Sequence, residues 1–312
     1  MFRTHKLAAL LLIAAALPIA SAQRTAAPAI KNIFWQPNDL QQGSPAFFTV
    51  ELSRVPRRVT GKWIDKDITF FKSSNPKIWY ALAGDDLETQ PGTYDLTVTA
   101  ILANGRPAHA TKSIDIAAAN FESAAVQVPE NFVEPNDTEK KQIAEDQQLK
   151  NRAFAHSIPT PQWSGNFITP VNAKSTPSFG ASRLLNEELT STHRGTDFPI
   201  NEGAPVIASN SGTVVLAQEL FYEGNCVIID HGDRLFTIYM HLSKIDVTTG
   251  GKLKKGARIG LTGKTGRVTG PHLHMGVRWN GAYLDPTKLL NLTLPKLREI
   301  PAATRRTRSR RR

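Results

Sequence analysis

Hydrophobic and polar positions alternate in short runs along most of the chain, and helical periodicity is confined to one stretch. Residues 46–52 (Ala46-Phe47-Phe48-Thr49-Val50-Glu51-Leu52) and 77–82 (Lys77-Ile78-Trp79-Tyr80-Ala81-Leu82) read as strands. Tyr94, Leu96, Val98 and Ala100 alternate with polar partners, which gives one buried and one wet face. Gln90-Pro91-Gly92 ahead of them is a turn signal, because proline fixes one dihedral and glycine accepts a positive φ. Asn104-Gly105 behind them marks a hairpin. Short strands at this spacing predict a small β-sandwich over residues 23–117.

Residues 118–160 read as a linker that contains the one helix. Asp137 is its expected cap, with the helix running from Thr138 to about Phe154. Its apolar stripe of Ile143, Leu149 and Ala153 is thin, so it is expected to lie on a surface or to space two domains. Residues 161–292 return to short strands and glycine turns. Segments 204–208 and 212–217 are strands, and 226–230 with 235–240 form a hairpin around His231-Gly232-Asp233. The predicted class is mainly β. The first domain resembles the immunoglobulin-like β-sandwich modules of exported bacterial proteins, without their cysteine–tryptophan signature.

The ends and the charge add a compartment. Arg3 and Lys6 precede an apolar run at residues 7–17, Pro18 and then Ala20-Ser21-Ala22. This is the pattern of a signal peptide, residues 1–22, cleaved after Ala22. The run is short for a bilayer and no other segment is apolar enough, so no transmembrane helix is expected in the mature form. Gln23 rather than cysteine follows the site, so the lipoprotein pattern is absent. Cys226 is the only cysteine, which excludes an internal disulfide, and its strand-like context favours a packed residue over a catalytic thiol. The formal net charge of +11 favours an anionic partner. For an exported protein this points away from nucleic acid and toward anionic wall polymer or a membrane surface. Part of the excess lies in residues 293–312, expected as a basic disordered tail.

Four of the eight histidines sit in tight contexts in the second half. His193-Arg194-Gly195-Thr196-Asp197 sets an imidazole and a carboxylate four residues apart. His272-Leu273-His274 sets two imidazoles on the same side of a strand. His241 closes the strand Phe236-Thr237-Ile238-Tyr239-Met240. Catalytic zinc usually takes three nitrogen or oxygen ligands and keeps one position open for water. Two histidines and one aspartate meet that need and leave net positive charge on the metal to acidify its water.

The segments Phe179-Gly180-Ala181-Ser182-Arg183 and His193 to Asp197 resemble the opening of the M23 peptidase domain, also called the LytM or lysostaphin-type domain. So do Val227-Ile228-Ile229-Asp230-His231-Gly232, Tyr239-Met240-His241-Leu242-Ser243 and Gly270-Pro271-His272-Leu273-His274, in the family's order. The resemblance implies a LytM-type antiparallel β-sheet domain with one Zn2+ per chain, held by His193, Asp197 and His274. It implies His241 and His272 as the catalytic pair. One imidazole takes the water's proton and the other stabilises the oxyanion, with the assignment left open. Tyr239, Asn225 and Thr269 are candidate substrate contacts. Arg183 either orients the loop before His193 or pairs on the surface, and His231 reads as structural.

The implied function is a secreted or periplasmic endopeptidase that hydrolyses peptide bonds in peptidoglycan cross-links or stem peptides. The alternative is a non-hydrolytic LytM-type regulator of cell-wall amidases or a wall-binding protein, although such domains usually lose zinc ligands. Peptidoglycan peptides are the expected partners, with anionic wall polymers held by the basic tail.

Overall fold

The computed structural model describes residues 28–296. The signal-peptide expectation (residues 1–22) and residues 297–312 of the expected basic tail lie outside the described residues; the first residues of that tail are ordered against the body, with Leu294 buried in the core and its N–H donating to Asn166 Oδ1 at 2.8 Å.

Two facing sheets make up the N-terminal part. One has the order Ile30–Gln36, Pro45–Leu52, Ile78–Gly84, Phe71–Lys72. The other has the order Leu40–Gln41, Pro107–Ala117, Gly92–Leu102, Pro56–Trp63, Lys66–Thr69. The alternation read at residues 94–100 decides how the second sheet faces: Leu96, Val98 and Ala100 are buried. They share a core with Phe48 and Val50 of the first sheet, where Phe48 meets Trp63 edge-on at 5.3 Å between centroids. Asn104-Gly105 forms the predicted hairpin, with Leu102 and Arg106 joined by an N–H···O bond of 2.9 Å.

The C-terminal part is built on a nine-stranded sheet. Its main path runs Thr196–Pro199, His272–Trp279, Leu235–Ile245, Gly224–Asp230, Gly212–Leu220, Lys252–Leu253. Strands Pro205–Ile207 and Arg258–Thr262 extend it from the far end of Leu235–Ile245, and Ala282–Leu284 pairs with His272–Trp279. Both faces of the central strands are covered, so their sequences are nearly continuous in apolar residues. Val227, Ile229, Tyr239, Leu273, Met275 and Val277 point to one face. Cys226, Ile228, Phe236 and Ile238 point to the other.

The helix Asp137–Ala155 lies on that second face. Its cap is Asn136, one residue before the expected Asp137. Asn136 Oδ1 accepts from Glu139 N and Glu139 Oε2 accepts from Asn136 N, a reciprocal capping box. Ala153, Leu149 and Phe154 pack on Leu216, Leu220, Ile228 and Phe236. Buried Asp146 accepts from Phe221 N at 2.7 Å, and Lys150 pairs with Glu223. The thin stripe therefore seats the helix on a surface, and the helix does not hold two bodies apart. Ahead of it, Ser123–Val126 adds a parallel strand to the hairpin Ser182–Leu185/Leu189–Thr192. Among the described residues no helix is long and apolar enough to cross a membrane.

The N-terminal sheets are not tethered loosely to this body. A single apolar cluster runs from Phe48 and Trp63 through Phe47 and Trp163 to Leu284, Leu289 and Leu294. Polar contacts cross the same boundary. Asp285 N donates to Gly43 O at 2.7 Å, Tyr283 N to Asp86 Oδ2 at 2.9 Å, and Lys288 Nζ to Gln41 Oε1 and Ser44 Oγ at 3.1 Å each. A shared core predicts cooperative unfolding. Calorimetry of the mature chain is expected to give one transition with matching van't Hoff and calorimetric enthalpies. Two separated transitions would show independent domains.

Candidate metal centre and catalytic groove

Register creates the site. In the antiparallel pair Thr196–Pro199/His272–Trp279, Asp197 stands directly opposite His274. Residues opposite each other in such a pair project to the same face, with Cβ atoms about 4.5–5.5 Å apart. Met240 on the next strand also faces His274, so the neighbouring Tyr239–Met275 pair points the other way. His193 precedes the first strand, and its Nδ1 lies 2.7 Å from the Ser178 carbonyl. That nitrogen must carry the proton, which leaves Nε2 to present a lone pair.

Three ligand atoms converge as a result. His193 Nε2 is 3.1 Å from Asp197 Oδ1 and 2.9 Å from His274 Nδ1, and His274 Nδ1 is 2.9 Å from Asp197 Oδ1. A tetrahedral zinc shell with bonds near 2.0–2.1 Å spaces its ligands by about 3.3 Å. The observed triangle is slightly tighter, at a separation that a shared proton or a small cation among the three atoms accounts for. The donor set therefore fits a small divalent metal. Gly195 makes the convergence possible, since a Cβ there would stand 2.4 Å from His274 Nε2 and 2.5 Å from Met275 O.

Electrostatics support the same state. Burial alone would raise the Asp197 carboxyl, but hydrogen bonds and charge from His193 and His274 outweigh it and hold the group well below the usual carboxylate range. Burial lowers His274 to about 4, against the opposing pull of Asp197. That shift favours the neutral His274 ring, the form able to act as a base toward a metal. The other carboxylate oxygen of Asp197 is not idle: Arg183 Nη2 donates to Oδ2 at 2.7 Å. Of the two roles open to Arg183 in the sequence, the structure shows a third and more specific one, orientation of a ligand.

His241 and His272 complete the rim. Their rings are 5.0 Å apart, and His241 is 6.0 Å from His274. His241 Nδ1 faces the Thr265 carbonyl and His272 Nδ1 the Gly270 carbonyl, each at 2.8 Å, so both Nε2 atoms are proton acceptors. His272 Nε2 is 3.6 Å from Asp197 Oδ1. Burial, with the charges of His274 and His272, pushes His241 well below its ordinary value. By strict alternation His241 would follow Tyr239 to the far face. Its φ of +63° breaks the alternation and returns the ring to the groove, at a cost of about 1–3 kcal/mol. Nothing in the sequence signals this bend.

These groups open into a cleft of about 640 Å³. One wall comes from the connector, through Val126, Val128 and Lys150, which the sequence did not single out. Thr269 lies on the cleft as expected. Tyr239 and Asn225 do not line it. Tyr239 is fully buried beneath the sheet, its hydroxyl accepting from Ser209 N at 2.9 Å and bonded to Thr237 Oγ1 at 3.1 Å. Its place in the register, opposite Met275, removes it from substrate. Asn225 donates to Leu242 O and takes the Thr265 hydroxyl on its backbone N–H, which makes it a tie between strand and loop. His231 is wholly buried in the polar network under the sheet, between Ser211 O at 2.8 Å and Thr237 Oγ1 at 2.7 Å. Cys226 is buried among apolar residues, and burial raises its thiol well above the ordinary range, which leaves it unreactive.

Residues 191–286 match the family described as Peptidase family M23. The matched stretch holds His193, Asp197, His241, His272 and His274. Over 109 residues it is 45% identical to the peptidoglycan DD-endopeptidase ShyA of Vibrio cholerae, covering 35% of this chain and 25% of that protein. Over 111 residues it is 37% identical to the DD-carboxypeptidase/endopeptidase Mpg of Neisseria meningitidis, covering 36% of this chain and 25% of that protein. The chain thus spans about a quarter of the length of these curated relatives. A crystal structure from Pseudomonas aeruginosa assigned to peptidase M23 superposes with a TM-score of 0.61, at 24% identity over 81% of this chain and 96% of that one. That likeness establishes a shared fold across both parts of the molecule.

The Arg183–Asp197 contact predicts a role in metal affinity. An Arg183→Gln variant is expected to bind zinc about 10–100-fold more weakly in competition with a chelating dye. Unchanged affinity would reduce the contact to a surface pair.

Proposed function

We propose that the protein is an exported, zinc-dependent endopeptidase that hydrolyses peptide bonds in peptidoglycan. The observation that carries this reading is the convergence of His193 Nε2, Asp197 Oδ1 and His274 Nδ1 beside two further imidazoles on one cleft, each held at Nδ1 by a backbone carbonyl. The metal is zinc, one per chain, because a site of two imidazoles and one carboxylate suits its ligand preference. Bound there, zinc would supply Lewis acidity that polarises a carbonyl and lowers the pKa of water.

The chain's own residues do the rest. Asp197, oriented by Arg183, contributes the single negative charge of the ligand set. The carbonyls of Thr265 and Gly270 fix the tautomers of His241 and His272, so that each presents Nε2 to the cleft. One of these nitrogens takes the proton of the attacking water, and the protonated ring later passes it to the leaving amine. The other ring, when it enters the reaction carrying a proton taken from solvent on Nε2, donates that N–H to the oxyanion. Both rings lie close enough to the ligand cluster for a scissile bond bound there to meet both.

The bond is of the D,D type found in peptidoglycan cross-links. Support comes from the names of the Vibrio and Neisseria relatives, a peptidoglycan DD-endopeptidase and a DD-carboxypeptidase/endopeptidase. The N-terminal sheets form an immunoglobulin-like sandwich that braces the peptidase body through the shared core. The protein works in the periplasm or outside the cell, in keeping with the signal-like start, and the basic C-terminal run holds it near anionic wall polymer.

Purified mature protein is expected to carry about one zinc per chain and to release muropeptides from sacculi, read by mass spectrometry. Chelation abolishes release and zinc restores it. His241→Ala and His272→Ala each lower turnover about 10²–10⁴-fold with zinc content unchanged. Zinc-loaded wild type that leaves sacculi uncut, or stimulates an amidase equally well as His272→Ala, would replace this reading with a regulatory one.

A further inference from the structure

Four cationic side chains line the cleft among the described residues: Lys150, Arg183, Arg194 and Arg267. Three have carboxylate partners, namely Glu223, Asp197 and Glu88. Arg267 has none within ion-pair distance. Its guanidinium lies over the Tyr222 ring at 4.6 Å and reaches only the Ser191 hydroxyl, at 3.5 Å. The group is half-buried, and burial disfavours its charge. Glu223 acts on it only from beyond ion-pair distance, and a partly desolvated cation that faces a cleft without a directly paired carboxylate is suited to an anionic ligand.

Its position ties it to the reaction. Arg267 sits on the loop between Arg258–Thr262 and His272–Trp279, between the two residues whose carbonyls orient the catalytic pair, Thr265 and Gly270. The loop is held rigidly at that point. Arg267 N donates to Tyr222 O at 2.9 Å, and Gly266 has φ +72° where a Cβ would meet Gly224 N at 2.4 Å. Tyr222 is itself braced by Phe221 and by Phe132 of the connector. The guanidinium is therefore presented to the cleft from an anchored backbone and against a braced ring.

We propose that Arg267 is a specificity-determining residue that binds a free carboxylate of the substrate peptide next to the scissile bond. The inference rests on the peptidase reading above. In a D,D cross-link to diaminopimelate, the carbon bearing the scissile nitrogen also bears a free carboxyl group. A planar guanidinium matches such a group with two parallel N–H donors, and amidation would remove the charge while keeping the shape.

The test uses the zinc-loaded mature protein and two cross-link peptides with the same D-alanyl–diaminopimelate bond, one with that carboxyl free and one with it amidated. Wild type is expected to favour the free acid at least about tenfold in kcat/KM. Arg267→Gln abolishes the preference by raising KM for the acid about tenfold, with kcat and amide turnover nearly unchanged, and Arg267→Lys keeps part of it. Turnover of the amide reports that each variant is folded. No preference in wild type, or an equal loss on both peptides in Arg267→Gln, overturns the proposal. Binding is read separately by calorimetry in a His272→Ala background. Should neither peptide be cut, the peptidase reading falls. The carboxylate site then stands if the acid binds about tenfold tighter than the amide and Arg267→Gln removes the difference, and it falls if the two bind alike.

Discussion

The molecule depends on a charge problem set by strand register. Asp197 and His274 are cross-strand neighbours on one face of the central sheet, and His193 enters from the loop before them. Three electron-rich atoms then lie about 3 Å apart in a site almost closed to water. Such an arrangement suits a cation at the centre. The surroundings favour one. Burial favours the neutral ring of His274, the Ser178 carbonyl fixes a tautomer of His193, Arg183 engages the second oxygen of the carboxylate, and Gly195 leaves room for the ring of His274.

The remaining architecture shapes the space around that centre. His241 reaches the cleft only because its backbone leaves the strand pattern, a local strain accepted where the chemistry needs a fourth imidazole. The connector supplies a wall, through a parallel strand beside Arg183 and a helix whose Lys150 meets Glu223. The N-terminal sheets share their core with the peptidase body, so the cleft is defined by the packing of the whole described chain. A metal site held within tenths of an ångström benefits from such support, since small displacements of ligands cost affinity and rate.

Much of this was legible in the residues. Alternation at Leu96, Val98 and Ala100, the turn at Asn104-Gly105 and the hairpin around His231-Gly232-Asp233 are local features, and local features leave local patterns. The convergence of His193, Asp197 and His274 was legible because they sit in short motifs of fixed spacing. What the sequence hid depends on distant pairing or on strand parity. Tyr239 was a reasonable groove candidate until the register placed it opposite Met275, on the buried face. Asn225 proved to be a tie between backbone segments. Arg267, Tyr222 and Val126 line the cleft because three separate stretches of chain meet there, and a single sequence carries no record of that meeting.

Anomalous diffraction at the zinc edge, from crystals of zinc-loaded protein, tests the central claim most directly. The account predicts one strong peak, about 2.0–2.2 Å from His193 Nε2, Asp197 Oδ1 and His274 Nδ1, with one coordination position facing the cleft. A zinc-loaded crystal with no peak there, or with zinc bound only elsewhere, would contradict it.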